Sequence, residues 1–209
     1  MWKAIKNMSQ KIDAFQLDQL KEIMNIGASH ASTALSQMVN HKVDLTVPKA
    51  FVDEIQNIGN FIENKDQEVT AALLRIFGDA SGVMFFMFAG GDESKLAELL
   101  VGDISNESEK KELQNSAIKE VGNVLAGASL TAFSKFLDMN LLHSVSNIAN
   151  DTIDAIINSI VAEIGKTSGV ALVFEVDFDI KEAGISTKFL FFIDPGATEK
   201  ILDAIKTKY

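Results

Sequence analysis

The stretch Leu20-Lys21-Glu22-Ile23-Met24-Asn25-Ile26-Gly27-Ala28 returns 98 residues later as Ile118-Lys119-Glu120-Val121-Gly122-Asn123-Val124-Leu125-Ala126. The match runs without a gap from 20–48 onto 118–146. It keeps Lys21/Lys119, Glu22/Glu120, Asn25/Asn123, Ala28/Ala126, Thr33/Thr131, Ala34/Ala132, Ser36/Ser134 and Val47/Val145. Any two amphipathic helices share a period, which accounts for the alanines and the apolar exchanges. It does not account for Lys-Glu-x-x-Asn recurring, because polar surface positions are the freest to drift. The chain therefore reads as two homologous halves, about 13–103 and 105–209, sharing one core as a single domain over 1–209 around a pseudo-two-fold axis. Two copies are too few for a solenoid.

The elements around each copy follow the same order. Apolar residues at helical spacing (Leu17, Leu20, Ile23, Met24, Ala28, Ala31, Leu35, Met38) predict a helix over 15–39, with Asp13 as its N-cap. Residues 43–47 alternate as a strand does, and Pro48 is expected to end it. Strands are expected over 69–77 and 82–89, then a helix capped by Asp92 that runs to Leu100. The second half predicts a long helix over 107–137, a strand over 140–146 and a helix over 151–164. Strands over 170–180 and 186–193 and a helix over 196–206 complete it. The expected class is α+β, with two long motif-bearing helices packed on a central, largely antiparallel sheet. Fourteen phenylalanines, several in Phe85-Phe86 and over 189–192, fill a sheet-on-helix core.

Composition narrows the function. The chain has 209 residues, 47% hydrophobic and 23% charged, enough to bury a core without staples. It contains no cysteine, which excludes a disulfide scaffold, a zinc–thiolate site and a thiol nucleophile. The longest apolar run, 83–89, is far shorter than the ~20 residues of a membrane span. The first residues lack the apolar stretch of a secretory signal, so the expectation is a cytoplasmic protein with no membrane partner. Nineteen basic against 29 acidic residues give a net charge of −10, and Arg75 is the single arginine. No basic cluster is available to neutralise nucleic-acid phosphates. Nor can the chain build an arginine-lined phosphate pocket. A phosphorylated substrate would have to bring its own cations.

Glu22 and Asn25 are three apart and so neighbours on one helix face; Asp18 lies four before Glu22, and Ser29 and Ser32 continue the stripe. Ser116, Glu120 and Asn123 repeat it. Asn is intrinsically poor in a helix interior by several tenths of a kcal/mol, and its use twice at matching positions points to a working side chain. A carboxylate can pair with a partner's lysine. A carboxamide both donates and accepts, so it can hold a water without titrating, as carboxamides do in some phosphoryl-transfer enzymes.

On these residues the chain resembles the CheC/CheX/FliY family of chemotaxis phosphatases, and within it the CheC type. The family signature is Asp or Ser, three residues, Glu, two residues, Asn, twenty-two residues, Pro. Asp18, Glu22, Asn25 and Pro48 meet every position, while the second copy has Ser116, Glu120 and Asn123 with Ser146 in place of proline. The resemblance implies hydrolysis of the aspartyl phosphate of a CheY-type response regulator. Asn25 and Asn123 would align the attacking water, and Glu22 and Glu120 would anchor the regulator's lysine. Asp18 and Ser116 would support them, and Pro48 would shape the strand beside the first helix. It implies no metal site or bound cofactor on this chain, because the regulator holds the Mg²⁺. It also allows CheD deamidase as a partner, and two sites on one chain suggest a monomer. The competing readings are a non-catalytic module that docks phosphorylated regulator or CheD, and a flagellar switch component.

Other motifs carry less. Asp177-Phe178-Asp179 follows an apolar run like a dehalogenase-type nucleophile, but too little chain follows for that fold, and alternating strand polarity explains it. Gly90-Gly91-Asp92-Glu93 reads as a turn entering a helix. His30, His41 and His143 lack metal-ligand spacing, and the methionines read as core filler. Gly27, Gly122 and Gly127 are candidates for close helix packing.

Overall fold

A computed structural model describes residues 14–61, 63–103, 107–164 and 169–208. In chain order the elements are helix α1 (Ala14–Val39), strand β1 (Asp44–Glu54), a 3₁₀ helix (Ile55–Phe61), β2 (Glu68–Gly78), β3 (Gly82–Phe88) and α2 (Asp92–Val101). The second half gives α3 (Glu107–Leu137), β4 (Leu141–His143), β5 (Asn147–Thr152), α4 (Ile153–Ile164), β6 (Val170–Ile180), a 3₁₀ turn (Lys181–Ala183), β7 (Ile185–Ile193) and α5 (Pro195–Lys208). The expected N-cap Asp13 lies outside the described residues.

Every strand pairing is antiparallel, and the order across the sheet is β1-β6-β7-β3-β2-β4, with β5 also on β2. Exchanging the halves (β1 for β4 and β5, β2 for β6, β3 for β7) leaves this order unchanged. The first strand of each half pairs in the other half: β1 with β6, and β4 and β5 with β2. Both long helices end on a left-handed residue, Asn40 (φ 52°) and Asp138 (φ 56°), again 98 apart. Asn and Asp tolerate that conformation and stop a helix there.

The sheet is apolar on both faces. Met84, Phe86 and Phe88 of β3 join Phe189 and Phe191 of β7 on one face, against α1 and α3 with α2 and α5 at the flanks. The alternate residues Val83, Phe85, Leu190 and Phe192 face Ile153, Ile156, Ile157 and Ile160 of α4 and Ile55 and Ile58 of the first 3₁₀ helix. That two-sided burial is why the Phe runs are continuous rather than alternating. Phe133 of α3 stacks on Phe191 (centroids 5.7 Å) and meets Phe174 edge-on (5.5 Å), which seats the second motif helix on β6 and β7.

Three expectations need correction. Pro48 does not end β1. Between Thr46↔Asp177 and Lys49↔Glu175 the strand carries one residue more than its partner, and this bulge takes the missing N–H at the sheet edge. The helix expected from Asp151 starts at Ile153, because β5 occupies 147–152; its mostly polar outer residues hid it. The N-cap of α2 is the left-handed Gly91, not Asp92, whose carboxylate instead takes Lys95 Nζ at 2.7 Å.

The two motif helices touch at Gly27. A Cβ there would lie 2.8 Å from the Ser129 Cα of α3, a backbone atom that cannot yield without moving the helix. At Gly127 the nearest atom to an added Cβ is His143 Nε2 at 3.8 Å. Gly-to-Ala in a helix gains about 1 kcal/mol of propensity, and overpacking costs about 1–3 kcal/mol. Thermal unfolding should therefore show Gly27→Ala with a lowered Tm and Gly127→Ala with a Tm equal to or above wild type.

Candidate active site

Helix α1 buries Leu20, Ile23, Met24, Gly27 and Ala28 against the sheet and α3. What remains outside is Asp18, Glu22 and Asn25, at i, i+4 and i+7 on one stripe. Asp18 and Glu22 are exposed and Asn25 is half-buried. In α3, Ala117, Ile118, Val121, Leu125 and Ala126 are buried, and Ser116 and Glu120 are exposed beside a half-buried Asn123. Each half thus presents a carboxamide, partly held by the fold, next to a solvated carboxylate. The side chains of Asp18, Glu22, Asn25, Ser116 and Glu120 make no hydrogen bond or ion pair within the described residues. Ser32 leaves the stripe: its hydroxyl donates to the Val43 carbonyl and so ties α1 to the approach of β1.

The proline position lies beside the same turn of helix in both halves. Lys21 Nζ donates to the Pro48 carbonyl at 3.0 Å. In the second half, Ser146 Oγ lies 3.4 Å from the Lys119 carbonyl and 3.0 Å from Asn123 Oδ1. Between His143↔Ile76 and Asn147↔Leu73 the second half also carries one extra residue, so Pro48 and Ser146 occupy matching bulges. Bulges re-aim side chains next to functional sites. Reading the motif from sequence noted Lys21 as a repeated residue without giving it a role and treated Ser146 only as a departure from proline; the offset of 98 was the available signal for Ser146.

A CheC-like family model matches residues 15–52, the span of α1 through the Pro48 bulge. The CheY-P phosphatase CheC of Bacillus subtilis (strain 168) is 31% identical over 163 residues, 77% of this chain and 78% of that protein. This chain belongs to the CheC-like family. Thermotoga maritima FliY superposes with a TM-score of 0.70 at 19% identity, covering 95% of this chain and 100% of that one. A chain of the CheX–CheY–BeF₃–Mg²⁺ complex from Borrelia burgdorferi gives 0.53 at 14% identity, covering 81% and 95%. The expected fold class is the observed one: helices on an antiparallel sheet, in the family's architecture.

No helix of this CheC-like chain is long and apolar enough to cross a membrane among the described residues. No group of three or more His, Asp or Glu among them could hold a metal ion. Gly90 to Glu93 form the turn and helix start expected of them, and Asp177 meets Lys188 at 3.6 Å on the sheet.

A charged network lies next to the first motif. Glu175 of β6, only 7% exposed, lines the groove that also contains Asp18, Lys21 and Pro48. Burial alone would raise its carboxyl. The hydrogen bond and charge of Lys188, with Lys49 Nζ at 3.4 Å, outweigh burial and hold it below the usual range. Lys188 is raised in turn, chiefly by its hydrogen bond to Glu175. A depressed carboxyl stabilises the fold above its unfolded pKa, about 4.3 for Glu, and that stability is lost as pH falls through the folded value. Lys188→Met should lower stability at pH 7 by about 1–3 kcal/mol. Denaturant titrations should show the gap to wild type narrowing as pH is taken below about 4.3.

Proposed function

We propose that this chain hydrolyses the aspartyl phosphate of a CheY-type response regulator at two Glu/Asn sites. The observation that carries the proposal is the paired stripe: Glu22 with Asn25 and Glu120 with Asn123, on the solvent side of the two long helices, whose Ile23, Met24, Val121 and Leu125 are buried. Support comes from the name of the B. subtilis relative, a CheY-P phosphatase, and from the B. burgdorferi complex, in which a protein of this architecture occurs with CheY.

On this reading Asn25 or Asn123 enters the regulator's phosphorylation site and orders a water in line with the phosphorus. The water oxygen bonds to phosphorus as the phosphorus–oxygen bond to the aspartyl carboxylate breaks. The carboxylate leaves with the electron pair, and the water's protons pass to phosphate and solvent. A carboxylate is a good leaving group, so ordering the water is the main task and no titrating base is needed. Glu22 and Glu120 pair with the regulator's lysine, and Asp18 and Ser116 support the motif turn. The Mg²⁺ is the regulator's, and a single chain with two sites works as a monomer.

Phosphate release from phosphorylated regulator in Mg²⁺ tests this. Asn25→Ala and Asn123→Ala should each leave the other site working. The double variant should lose at least about 100-fold in rate with circular dichroism and Tm unchanged. Adding Glu22→Ala to Asn123→Ala should raise KM more than it lowers kcat. A double variant at the wild-type rate would remove the asparagines from the chemistry. Tight binding of phosphorylated regulator or CheD without accelerated release would identify a docking module instead.

A further inference from the structure

The two sites differ in what is buried beside the motif helix. In the first bulge Val47 points inward (3% exposed) and Pro48 outward. In the second the facing is reversed: Val145 is 80% exposed and Ser146 is 6% exposed. The residue turned toward the motif helix is therefore a valine in one half and a serine in the other. The helix matches this exchange. Met24, fully buried in α1, corresponds to Gly122 in α3, where an added Cβ would lie 3.4 Å from Ser146 Oγ. Met24 with Val47 fills the first half with apolar volume, and Gly122 with Ser146 leaves room for a hydroxyl in the second.

A buried hydroxyl must find a partner. For Ser146 the choices are the Lys119 carbonyl at 3.4 Å and Asn123 Oδ1 at 3.0 Å; the shorter contact is to the carboxamide. Asn25 has no such contact among the described residues. Donation from Ser146 fixes which way the Asn123 carboxamide faces, uses one of its two oxygen lone pairs, and leaves the other lone pair and both Nδ2 hydrogens without a partner among the described residues.

We infer that Ser146 is a positioning residue for Asn123, so that the second site is preorganised by its own fold while Asn25 is ordered only when the regulator is bound. The inference rests on the phosphatase reading of these sites. Ordering Asn123 in advance removes a step that would otherwise be made in the bound complex, so its loss should appear in kcat rather than KM.

The test uses Asn25→Ala as parent, in which only the second site works. Ser146→Ala in that parent should lower kcat about tenfold with KM within about twofold, and Ser146→Thr should restore it. In the wild-type chain, NMR should show the Asn123 side-chain amide more ordered than that of Asn25, and Ser146→Ala should erase the difference. A kcat unchanged or raised in Ser146→Ala overturns the inference while the active parent upholds the phosphatase reading. An inactive parent overturns the second site and the role of Ser146 with it. Equal order at Asn25 and Asn123 in the wild type overturns the preorganisation directly.

Discussion

The close crossing of α1 and α3 over one face of the sheet is the constraint on which the rest depends. The central strands are apolar on both sides, so one face demands cover along its whole length. Two long helices supply it only if they also pack on each other, which Gly27 permits by letting α1 come up to the backbone of α3 at Ser129. Once both helices are committed to sheet and neighbour, little of either surface is left free. The polar residues at i, i+4 and i+7 have nowhere to go but out. The placement of Asn25 and Asn123 on the solvent side of their helices thus follows from burial of Ile23, Met24, Val121 and Leu125, and the Ser146 contact acts only on the carboxamide of Asn123 once it is there.

The two halves are interleaved in the connectivity. Because β1 pairs with β6 and β5 with β2, the strand that follows each motif helix completes the sheet of the opposite half. Neither half has its own closed set of pairings. The two motif helices are consequently positioned by a shared sheet, and the bulges that hold Pro48 and Ser146 sit at its two edges. Matching scaffolds allow unlike details: the same extra residue turns Val47 inward on one side and Ser146 inward on the other.

Much of this was legible in the chain. Periodicity located α1 and α3 because their apolar stripes are long and regular, and the Phe runs marked a sheet-on-helix core, although not that both faces of the sheet are covered. The offset of 98 placed Glu120 and Asn123 from Glu22 and Asn25. What was not legible depends on partners distant in sequence. β5 (Asn147-Ile148-Ala149-Asn150-Asp151-Thr152) has weak alternation and is a strand because β2 offers it an edge. Pro48 reads locally as a strand end, and only the register against β6 turns it into a bulge. The inward turn of Ser146 cannot be read from its alignment with Pro48, since the two residues face opposite ways.

The electrostatics set what kind of help such a site can give. Enzymes that move phosphoryl groups usually supply cations to the transferred oxygens. Here the helix stripes carry Asp18, Glu22 and Glu120, Lys21 is turned to the Pro48 carbonyl, and Lys49 and Lys188 are held by Glu175. A chain of net charge −10 with one arginine gains nothing by approaching a phosphate on charge alone. Each carboxylate is useful only against a cation on the partner, and each carboxamide only where neutrality and a fixed direction matter. On the proposed reading the contribution of such a surface is geometric: an uncharged amide brought to a site whose positive charge is already in place.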